Sequence, residues 1–226
     1  MNKEKVSNAV VARLPMYYRY LSSLEKTGYT RISSQQLGEK MGLTASQIRQ
    51  DINCFGGFGQ QGYGYNVSGL RMRVGEILGL NRKYAMVIVG VGNIGRAISH
   101  YKAFTKMGFE TKALFDTDPE LIGKKDNGLE IYSIDHLEAY LKMNPIDVGV
   151  IAVPDVAAQS ACDALVAGGV RGVWNFGPID LVVPPNVELK SAHLLDALLV
   201  LSYYMSNPRS ERAQFATDIH DDDTHI

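Results

Sequence analysis

The chain has 226 residues and a mass of 24.9 kDa, with 46% hydrophobic residues, 21% charged residues and a formal net charge of −1. This composition is typical of globular proteins and excludes a collagen, a coiled coil or a wholly disordered chain. The net charge hides an asymmetry, because residues 1–82 carry 11 Lys and Arg against 5 Asp and Glu, a net +6, and residues 83–226 carry a net −7. A basic first part and an acidic second part predict different partners for the two.

Cysteine usage and hydropathy predict a soluble, cytoplasmic protein. Cys54 and Cys162 are far apart and lack zinc-ligand spacing, so neither a disulfide framework nor a metal site is expected. No apolar segment follows Met1, so no signal peptide is expected. The longest apolar stretch, residues 194–205, is too short to cross a bilayer and contains Asp196.

Residues 1–82 are predicted to contain a helix, a short extended piece and then two short helices. Pro15 is expected in the first turn of the first helix, which runs to about residue 26. Ser33 with Gln36, and Thr44 with Gln47, form capping boxes that begin the other two helices. Since Gly42 can end the first of that pair, the pattern indicates a helix-turn-helix.

The last of these helices has an apolar stripe and a polar face. Ile48, Ile52 and Phe55 make the stripe. Its polar side chains can hydrogen-bond base edges, although a solvated helix face would have the same composition. The DNA-binding candidates on it are Ser46, Gln47, Arg49, Gln50 and Asn53.

Residues 55–67 have five glycines interleaved with Phe58, Tyr63 and Tyr65. Glycine supplies the backbone conformations that tight hairpins need, so the segment predicts a β-hairpin wing beside the helix-turn-helix. The alternative is a flexible linker between domains, which would seldom use aromatic residues. The wing candidates for DNA contact are Gln60, Gln61, Tyr63 and Tyr65.

The second part begins with the apolar run of residues 84–89, typical of a central parallel strand. Gly90, Gly92 and Gly95 follow as a GxGxxG turn into a helix expected to reach about residue 107. Asp116 ends the next strand, 21 residues beyond Gly95. A strand, glycine turn, helix and strand ending in an acid is the dinucleotide-binding pattern of a Rossmann domain.

The acid at residue 116 predicts NAD(H) rather than NADP(H). Its carboxylate can accept a hydrogen bond from a ribose hydroxyl and repels a 2′-phosphate, and neither Thr117 nor Asp118 supplies a compensating cation. The alternative is that Asp116 only caps a helix beginning at Pro119. The predicted cofactor residues here are Gly90, Val91, Gly92, Asn93, Ile94, Gly95, Asp116 and Thr117.

Two further strands are predicted at residues 146–153 and 170–176, with short extended segments near 181–183 and 187–189. The nicotinamide half of a dinucleotide lies at such strand ends, which places Val153, Pro154 and Phe176 near it.

A last helix, residues 191–205, is apolar on almost every side. Such a helix must be buried all round, so we expect it to pack against a second subunit; the alternative is burial within one chain. The tail, 207–226, is polar and expected to be disordered.

These motifs together resemble the Rex family of redox-sensing transcriptional repressors. The resemblance covers about residues 5–206 and rests on Arg13-Leu-Pro-Met-Tyr-Tyr-Arg-Tyr-Leu21, Gln47-Ile-Arg-Gln-Asp51, Phe55-Gly-Gly-Phe-Gly59, Gly62-Tyr-Gly-Tyr-Asn66 and the GxGNxG turn.

The resemblance implies a homodimer with an N-terminal winged helix, a C-terminal Rossmann domain and a last helix swapped onto the partner. It implies repression of fermentation and respiration genes at inverted-repeat operators, with NADH releasing DNA and NAD+ competing to permit binding. Tyr101 matches a family tyrosine near the nicotinamide. The implied domains are residues 1–82 (winged helix), 83–190 (Rossmann), 191–206 (dimerising helix) and 207–226 (tail).

The chain departs from the family pattern at its predicted DNA contacts and at its switch. Gln50 and the pair Gln60-Gln61 stand where basic residues are common, which predicts weaker phosphate attraction. An aspartate common in the last helix, associated with an ion pair to the arginine matching Arg13, is His193 here. The resemblance therefore implies a switch in which Asp196 substitutes or His193 adds pH sensitivity; the alternative for His193 is simple packing.

Two other functions fit parts of the sequence. A dehydrogenase would need a substrate domain and a general acid or base, and the short second part supplies neither. A CoA-binding module would leave Asp116 without the ribose hydroxyl that its position predicts. We therefore expect no catalytic residues.

Overall fold

The structure, a computed structural model, describes residues 7–54, 56, 59–60 and 63–207, with only the backbone at 59 and 60. These residues form two compact units, one up to Lys83 and the other from Tyr84. No helix in the described ranges is long and apolar enough to cross a membrane. The predictions for Phe55, Phe58, Gln61 and the tail beyond Asn207 lie outside the described residues.

The first unit is a helical domain with a small antiparallel sheet. The sheet has three strands, and the last of them in the sequence lies between the other two. In chain order the elements are α1 (Asn8–Lys26), β1 (Arg31–Ile32), α2 (Ser34–Met41), α3 (Ala45–Asn53), β2 (Gly59–Gln60), β3 (Gly64–Asn66) and α4 (Val67–Ile77), and the sheet order is β1-β3-β2.

The first helix begins earlier than predicted, so the placement of Pro15 in its first turn is wrong. Ser7 caps α1 by accepting a hydrogen bond from the N–H of Val10, and Pro15 lies inside the helix. Proline removes the N–H that would bond to the carbonyl of Val11. Val11 and Pro15 are both exposed, so this turn faces solvent and the helix continues through it.

The predicted helix-turn-helix is confirmed in α2 and α3. Ser33 and Gln36 form both halves of a capping box at the start of α2, and Gly42 ends that helix with a φ of 68°. Thr44 accepts a hydrogen bond of 3.1 Å from the N–H of Gln47 at the start of α3. These local side-chain caps set the two helix ends independently of packing.

The hairpin that follows α3 is also present, as strands β2 and β3, and β1 extends it on the other side. Gly64 begins β3 with a φ of 69°, and a Cβ there would lie 2.7 Å from the carbonyl oxygen of Ile32. Glycine is therefore required where β3 passes β1. The first unit is a winged helix.

The second unit is a parallel sheet with helices. In chain order its elements are β4 (Tyr84–Val89), α5 (Asn93–His100), α6 (Ala103–Lys106), β5 (Phe109–Asp116), β6 (Lys125–Asp126), β7 (Leu129–Ser133), a 3-10 turn (Ile134–His136), α7 (Leu137–Met143), β8 (Val148–Ile151), α8 (Asp155–Ala167), β9 (Gly172–Asn175), β10 (Glu188–Ser191) and α9 (Leu194–Ser206).

The strand order, β10-β9-β8-β4-β5-β7-β6, is that of a Rossmann sheet. Every pairing is parallel except that between β6 and β7. Since β4 pairs with β5 on one side and β8 on the other, the chain reverses its direction of winding beside β4. Ligands of such sheets bind at this point, beyond the carboxyl ends of the strands.

Several predicted boundaries in this unit are wrong. The helix expected to reach residue 107 stops at His100, so Tyr101 is its C-cap rather than a helical residue. Residues 119–122 form turns, not a helix, and residues 181–183 form no strand. Strands β6 and β7 and helix α7 were not predicted, although Leu137 and Leu141 of α7 recur at helical spacing.

The last helix lies largely in solvent within the single chain. Leu198 is 60% exposed, and the same holds for most apolar side chains of α9, namely Leu194, Leu195, Leu199, Val200, Leu201, Tyr203, Tyr204 and Met205. The alternative of burial within one chain is therefore wrong.

Candidate DNA-binding and nucleotide-binding sites

Helix α3 keeps its apolar side chains inside and its polar ones outside. Ile48 and Ile52 are fully buried. The polar candidates on this helix are reachable from solvent, with Gln47 half-buried and Ser46, Arg49, Gln50 and Asn53 exposed.

Two of the predicted DNA contacts have partners inside the unit. Arg49 donates from Nη1 to the hydroxyl of Ser34 at 3.3 Å, which holds its guanidinium at the start of α2. Tyr65 is only 8% exposed and packs in the core, and burial raises the pKa of its hydroxyl. The prediction that Tyr65 contacts DNA is therefore revised: its ring supports the wing from within.

The wing has a cation that the sequence did not indicate. Tyr63 is 70% exposed, and Arg31, on β1, donates from Nη1 to its carbonyl oxygen at 3.2 Å. The guanidinium carbon of Arg31 lies 5.9 Å from the centre of the Tyr63 ring, within range of a cation–π interaction. The positive charge that Gln60 does not provide is thus held at the wing from a neighbouring strand.

A buried ion pair joins α3 to α1. Arg13 donates from Nε and Nη2 to the two oxygens of Asp51, each at 2.7 Å, and the Tyr17 hydroxyl donates to Asp51 at 2.9 Å. Burial, and then the hydrogen bond to Asp51, raise the pKa of Tyr17 well above its usual value. Asp51 follows Ile48 by three residues and therefore lies on the same face of α3. A charged residue on that apolar face indicates, from the sequence, that it has a buried partner.

In the second unit, the glycine turn is shaped by two close backbone approaches. Gly90 has a φ of 96°, and a Cβ there would strike the carbonyl oxygen of Ala152. A Cβ on Gly95 would strike the carbonyl oxygen of Gly90. A Cβ on Gly92 would instead project into open space at the N-terminus of α5. The first and last glycines therefore serve the fold, whereas Gly92 leaves room for a ligand.

Asp116 organises the same turn. Its Oδ2 accepts from the N–H of Val91 at 2.6 Å, and its Oδ1 accepts from the N–H groups of Thr117 and Asp118 at 2.7 and 2.9 Å. With residues 119–122 in turns, the alternative of Asp116 as a helix cap at Pro119 is wrong. The carboxylate is instead fixed beside the glycine turn, where one lone pair of Oδ2 remains to accept a ribose hydroxyl.

An apolar pocket of about 460 Å³ adjoins this turn. Of the predicted nicotinamide neighbours, Tyr101 and Phe176 line it, while Val153 packs against Gly90 and Pro154 is the N-cap of α8. The other residues that line it are Asn93, Ile94, Ala97, Ile98, Phe104, Trp174 and Leu194.

Known protein families match both units of the chain. A family model described as a putative DNA-binding protein N-terminus matches residues 5–53, and one described as a CoA binding domain matches residues 81–179. The redox-sensing transcriptional repressor Rex of Clostridium botulinum strain Hall is 54% identical over 200 residues, covering 88% of this chain and 95% of its own. The Rex repressor of Clostridium kluyveri is 53% identical over 208 residues, 92% of this chain and 99% of its own.

The chain belongs to the Rex family of redox-sensing transcriptional repressors. Solved structures of RSP, a Rex-family repressor, agree over the whole fold. The complex of RSP with β-NAD+ and operator DNA matches with a TM-score of 0.85 at 46% identity, covering 96% of this chain and 98% of RSP. The complex with β-NADH matches with a TM-score of 0.84 at 45% identity, covering 94% and 98%.

Membership of the Rex family decides against the dehydrogenase alternative. The curated relatives that match over most of the chain are named repressors and not enzymes. Among the described residues, no group of three or more His, Cys, Asp and Glu side chains is placed to hold a metal ion.

The residues assigned to a Rex-type switch are divided between the two units, Arg13 in the first and His193 and Asp196 in the second. Arg13 bonds to Asp51, as described above. His193 is the N-cap of α9 and lies 3.5 Å from the carboxylate of Asp180, while Asp196 is exposed in the first turn of that helix. A switch that joins Arg13 to Asp196 or His193 stays a prediction, and it would have to compete with the bond between Arg13 and Asp51.

Proposed function

We propose that this Rex-family protein binds operator DNA through α3 and its wing, and that NADH in the second unit releases the DNA. The observation that carries the proposal is the combination in one chain of a solvent-facing helix-turn-helix with a glycine turn organised by Asp116. Repressors act where the DNA is, so we place the protein in the cytoplasm.

The dinucleotide fits the glycine turn from its pyrophosphate outward. The N-terminus of α5 presents backbone N–H groups to the phosphates where Gly92 has no side chain. Asp116 then accepts from the adenosine ribose, and the ring of the nicotinamide enters the pocket beside Tyr101 and Phe176. NADH differs from NAD+ at this ring, which is neutral when reduced and cationic when oxidised.

The apolar pocket favours the reduced cofactor. Burying a charge among apolar side chains costs free energy that burying a neutral ring does not. Tyr101, Phe176 and Leu194 therefore fit the ring of NADH better, and NAD+ competes as the weaker ligand. This difference is what lets the site respond to the ratio of the two.

We place a second copy of the chain over α9 of the first. An apolar groove of about 540 Å³, which includes Met86, Phe104, Val148 and Trp174, lies along strands β4, β8 and β9 and reaches β10. A helix with exposed leucines and an apolar groove on the same unit complement each other between two copies. The homodimer would swap α9 into this groove of the partner.

A two-fold dimer presents two copies of α3 to DNA. Such dimers read inverted repeats whose half-sites are whole helical turns apart. NADH can release the DNA only if it binds the released dimer more tightly than the DNA-bound one. A nearly complete switch needs about a 10⁴-fold preference, which two sites in a dimer can share.

Fluorescence anisotropy with a labelled inverted-repeat operator tests the proposal. NADH should lower the operator affinity of the protein, NAD+ should oppose NADH, and NADPH should act only at much higher concentration. If saturating NADH leaves operator affinity unchanged in the absence of NAD+, the proposal is wrong.

A further inference from the structure

Asn175 is a buried polar residue at the end of β9, beside the nucleotide pocket. Its side chain is fully buried, and buried amides must find hydrogen-bond partners. Its Oδ1 accepts from the N–H of Gly177 at 2.8 Å, and its Nδ2 donates to the carbonyl oxygen of Ile179 at 2.8 Å and to the hydroxyl of Ser191 at 3.4 Å. Both the oxygen and the nitrogen of the amide therefore have hydrogen-bond partners.

These bonds join two segments that are distant in sequence. One is the loop 176–180, whose first residue lines the nucleotide pocket. The other is the end of β10, which leads into α9. The Asn175 carbonyl also accepts from the N–H of Ala192 at 2.8 Å, so side chain and backbone hold both segments.

An aromatic row leads from the pocket to the same residue. The ring centres of Tyr101 and Phe104 lie 4.9 Å apart, those of Phe104 and Trp174 lie 5.5 Å apart, and those of Trp174 and Phe176 lie 4.6 Å apart. Asn175 is the last residue of β9, and Trp174 and Phe176 are its two neighbours in sequence. A ring that enters the pocket comes beside Trp174 and Phe176, the two neighbours of Asn175 in sequence.

We propose that Asn175 is the positioning residue through which occupancy of the pocket is transmitted to the start of α9. The proposal rests on the proposed function, because it concerns how NADH is sensed. A shift of Phe176 would strain the hydrogen bonds of the buried Asn175 amide, and the strain is relieved by moving Ser191 and Ala192 together with the loop. Because these residues precede α9, the movement reaches the helix that we assign to the dimer.

The measurement is the coupling ratio, the dissociation constant of NADH with operator DNA present divided by that without it. Asn175→Ala and Ser191→Ala should each keep NADH affinity of the DNA-free protein within about threefold of wild type. The ratio should fall by about tenfold or more in Asn175→Ala and by less in Ser191→Ala. Asn144→Ala is the matched control, since Asn144 donates a 2.9 Å bond to the carbonyl of Tyr140 in the same unit.

Hydrogen exchange gives a second measurement that does not depend on whether Asn175→Ala folds. In wild type, NADH should change amide exchange both in residues 174–180 and in residues 188–196. In Ser191→Ala the change in 174–180 should persist and that in 188–196 should shrink. Exchange in Ser191→Ala equal to that of wild type would overturn the role of Asn175, and so would wild-type coupling in a folded Asn175→Ala. A wild-type protein that NADH does not release from operator DNA would overturn the proposed function itself.

Discussion

Arg13 and Asp51 form a two-point ion pair between α1 and α3, the helix that we propose to contact DNA. The carboxylate of Asp51 is 2% exposed and is held at 2.7 Å by each of two guanidinium nitrogens of Arg13. The hydroxyl of Tyr17 occupies a further lone pair. The hydrogen bond to Asp51 raises the pKa of Arg13, so the guanidinium stays charged at any physiological pH.

We expect Arg13→Met to destabilise the first unit strongly. Removing one partner of a buried ion pair leaves the other charge without compensation and costs about 3–5 kcal/mol. Unfolding in urea, followed by circular dichroism, measures the free energy of unfolding.

The double variant Arg13→Met with Asp51→Leu is the control for that prediction. Replacing both charges by apolar side chains should recover most of the lost stability, since neither charge is then stranded. If Arg13→Met alone were as stable as wild type, leaving Asp51 without its partner would cost no free energy and the prediction would be wrong.

Local patterns predicted more of this molecule than distant contacts did. The capping of α2 by Ser33 and its end at Gly42 depend on neighbours within a few residues, and both were predicted. The spacing from Gly95 to Asp116 likewise reflects elements that follow one another in the chain, from α5 to the end of β5. By contrast, Asp51 meets Arg13 across 38 residues, and Arg31 reaches Tyr63 across 32, so composition alone could not pair them.

Glycine positions illustrate the same limit. The pattern assigned Gly90 to a tight turn and Gly92 to ligand approach, but only the structure shows that Ala152 and not a neighbour in sequence excludes a side chain at Gly90. The hairpin of β6 and β7 was not predicted, and its first strand has only two residues, both charged. Its strand β7 is instead held by pairing with β5.

Gly90→Ala should reduce the stability of the fold, whereas Gly92→Ala should reduce NADH binding. Gly90→Ala places a Cβ against the carbonyl of Ala152 at a positive φ, so it should lower the melting temperature. Gly92→Ala meets open space at an ordinary φ of −73°, so the fold should remain as stable as wild type while NADH binding is lost. Thermal melts and NADH titrations on both variants measure this; Gly92→Ala binding NADH like wild type would contradict it.

Asp116→Asn should narrow the preference for NADH over NADPH. The wild-type carboxylate repels the 2′-phosphate of NADPH and accepts a hydrogen bond from the ribose hydroxyl of NADH. The uncharged amide of the variant does not repel the phosphate. We expect the affinity ratio to fall about tenfold, which corresponds to ~1.4 kcal/mol. Titrations by nicotinamide fluorescence measure both ligands.

Asp118→Asn is the matched control for Asp116. Asp118 is the next acid in the chain and is exposed, and its Oδ1 accepts from the N–H of Glu120. The preference of Asp118→Asn should stay at the wild-type value. An equal loss of preference in the two variants would mean that general charge, and not the placement of Asp116, excludes NADPH.

Arg31→Gln should weaken operator binding by removing the cation held at the wing. A lost phosphate contact reduces the slope of log affinity against log salt by about 1 for each protomer. Anisotropy at several salt concentrations measures the slope. Arg171→Gln, which removes the same charge from the second unit, should leave the slope unchanged; a wild-type slope in Arg31→Gln would exclude the wing contact.

Leu198→Asp should convert a dimer into monomers. Leu198 is 60% exposed in the single chain, and burial of a leucine side chain at an interface is worth about 1.5–3 kcal/mol in each protomer, which a charge would reverse. Sedimentation velocity should show half the wild-type mass, and operator affinity should fall because each winged helix then binds one half-site alone. Met143→Asp, at an apolar side chain on α7 that is 83% exposed, should stay dimeric. A Leu198→Asp variant that sediments like wild type would show that α9 does not form the interface.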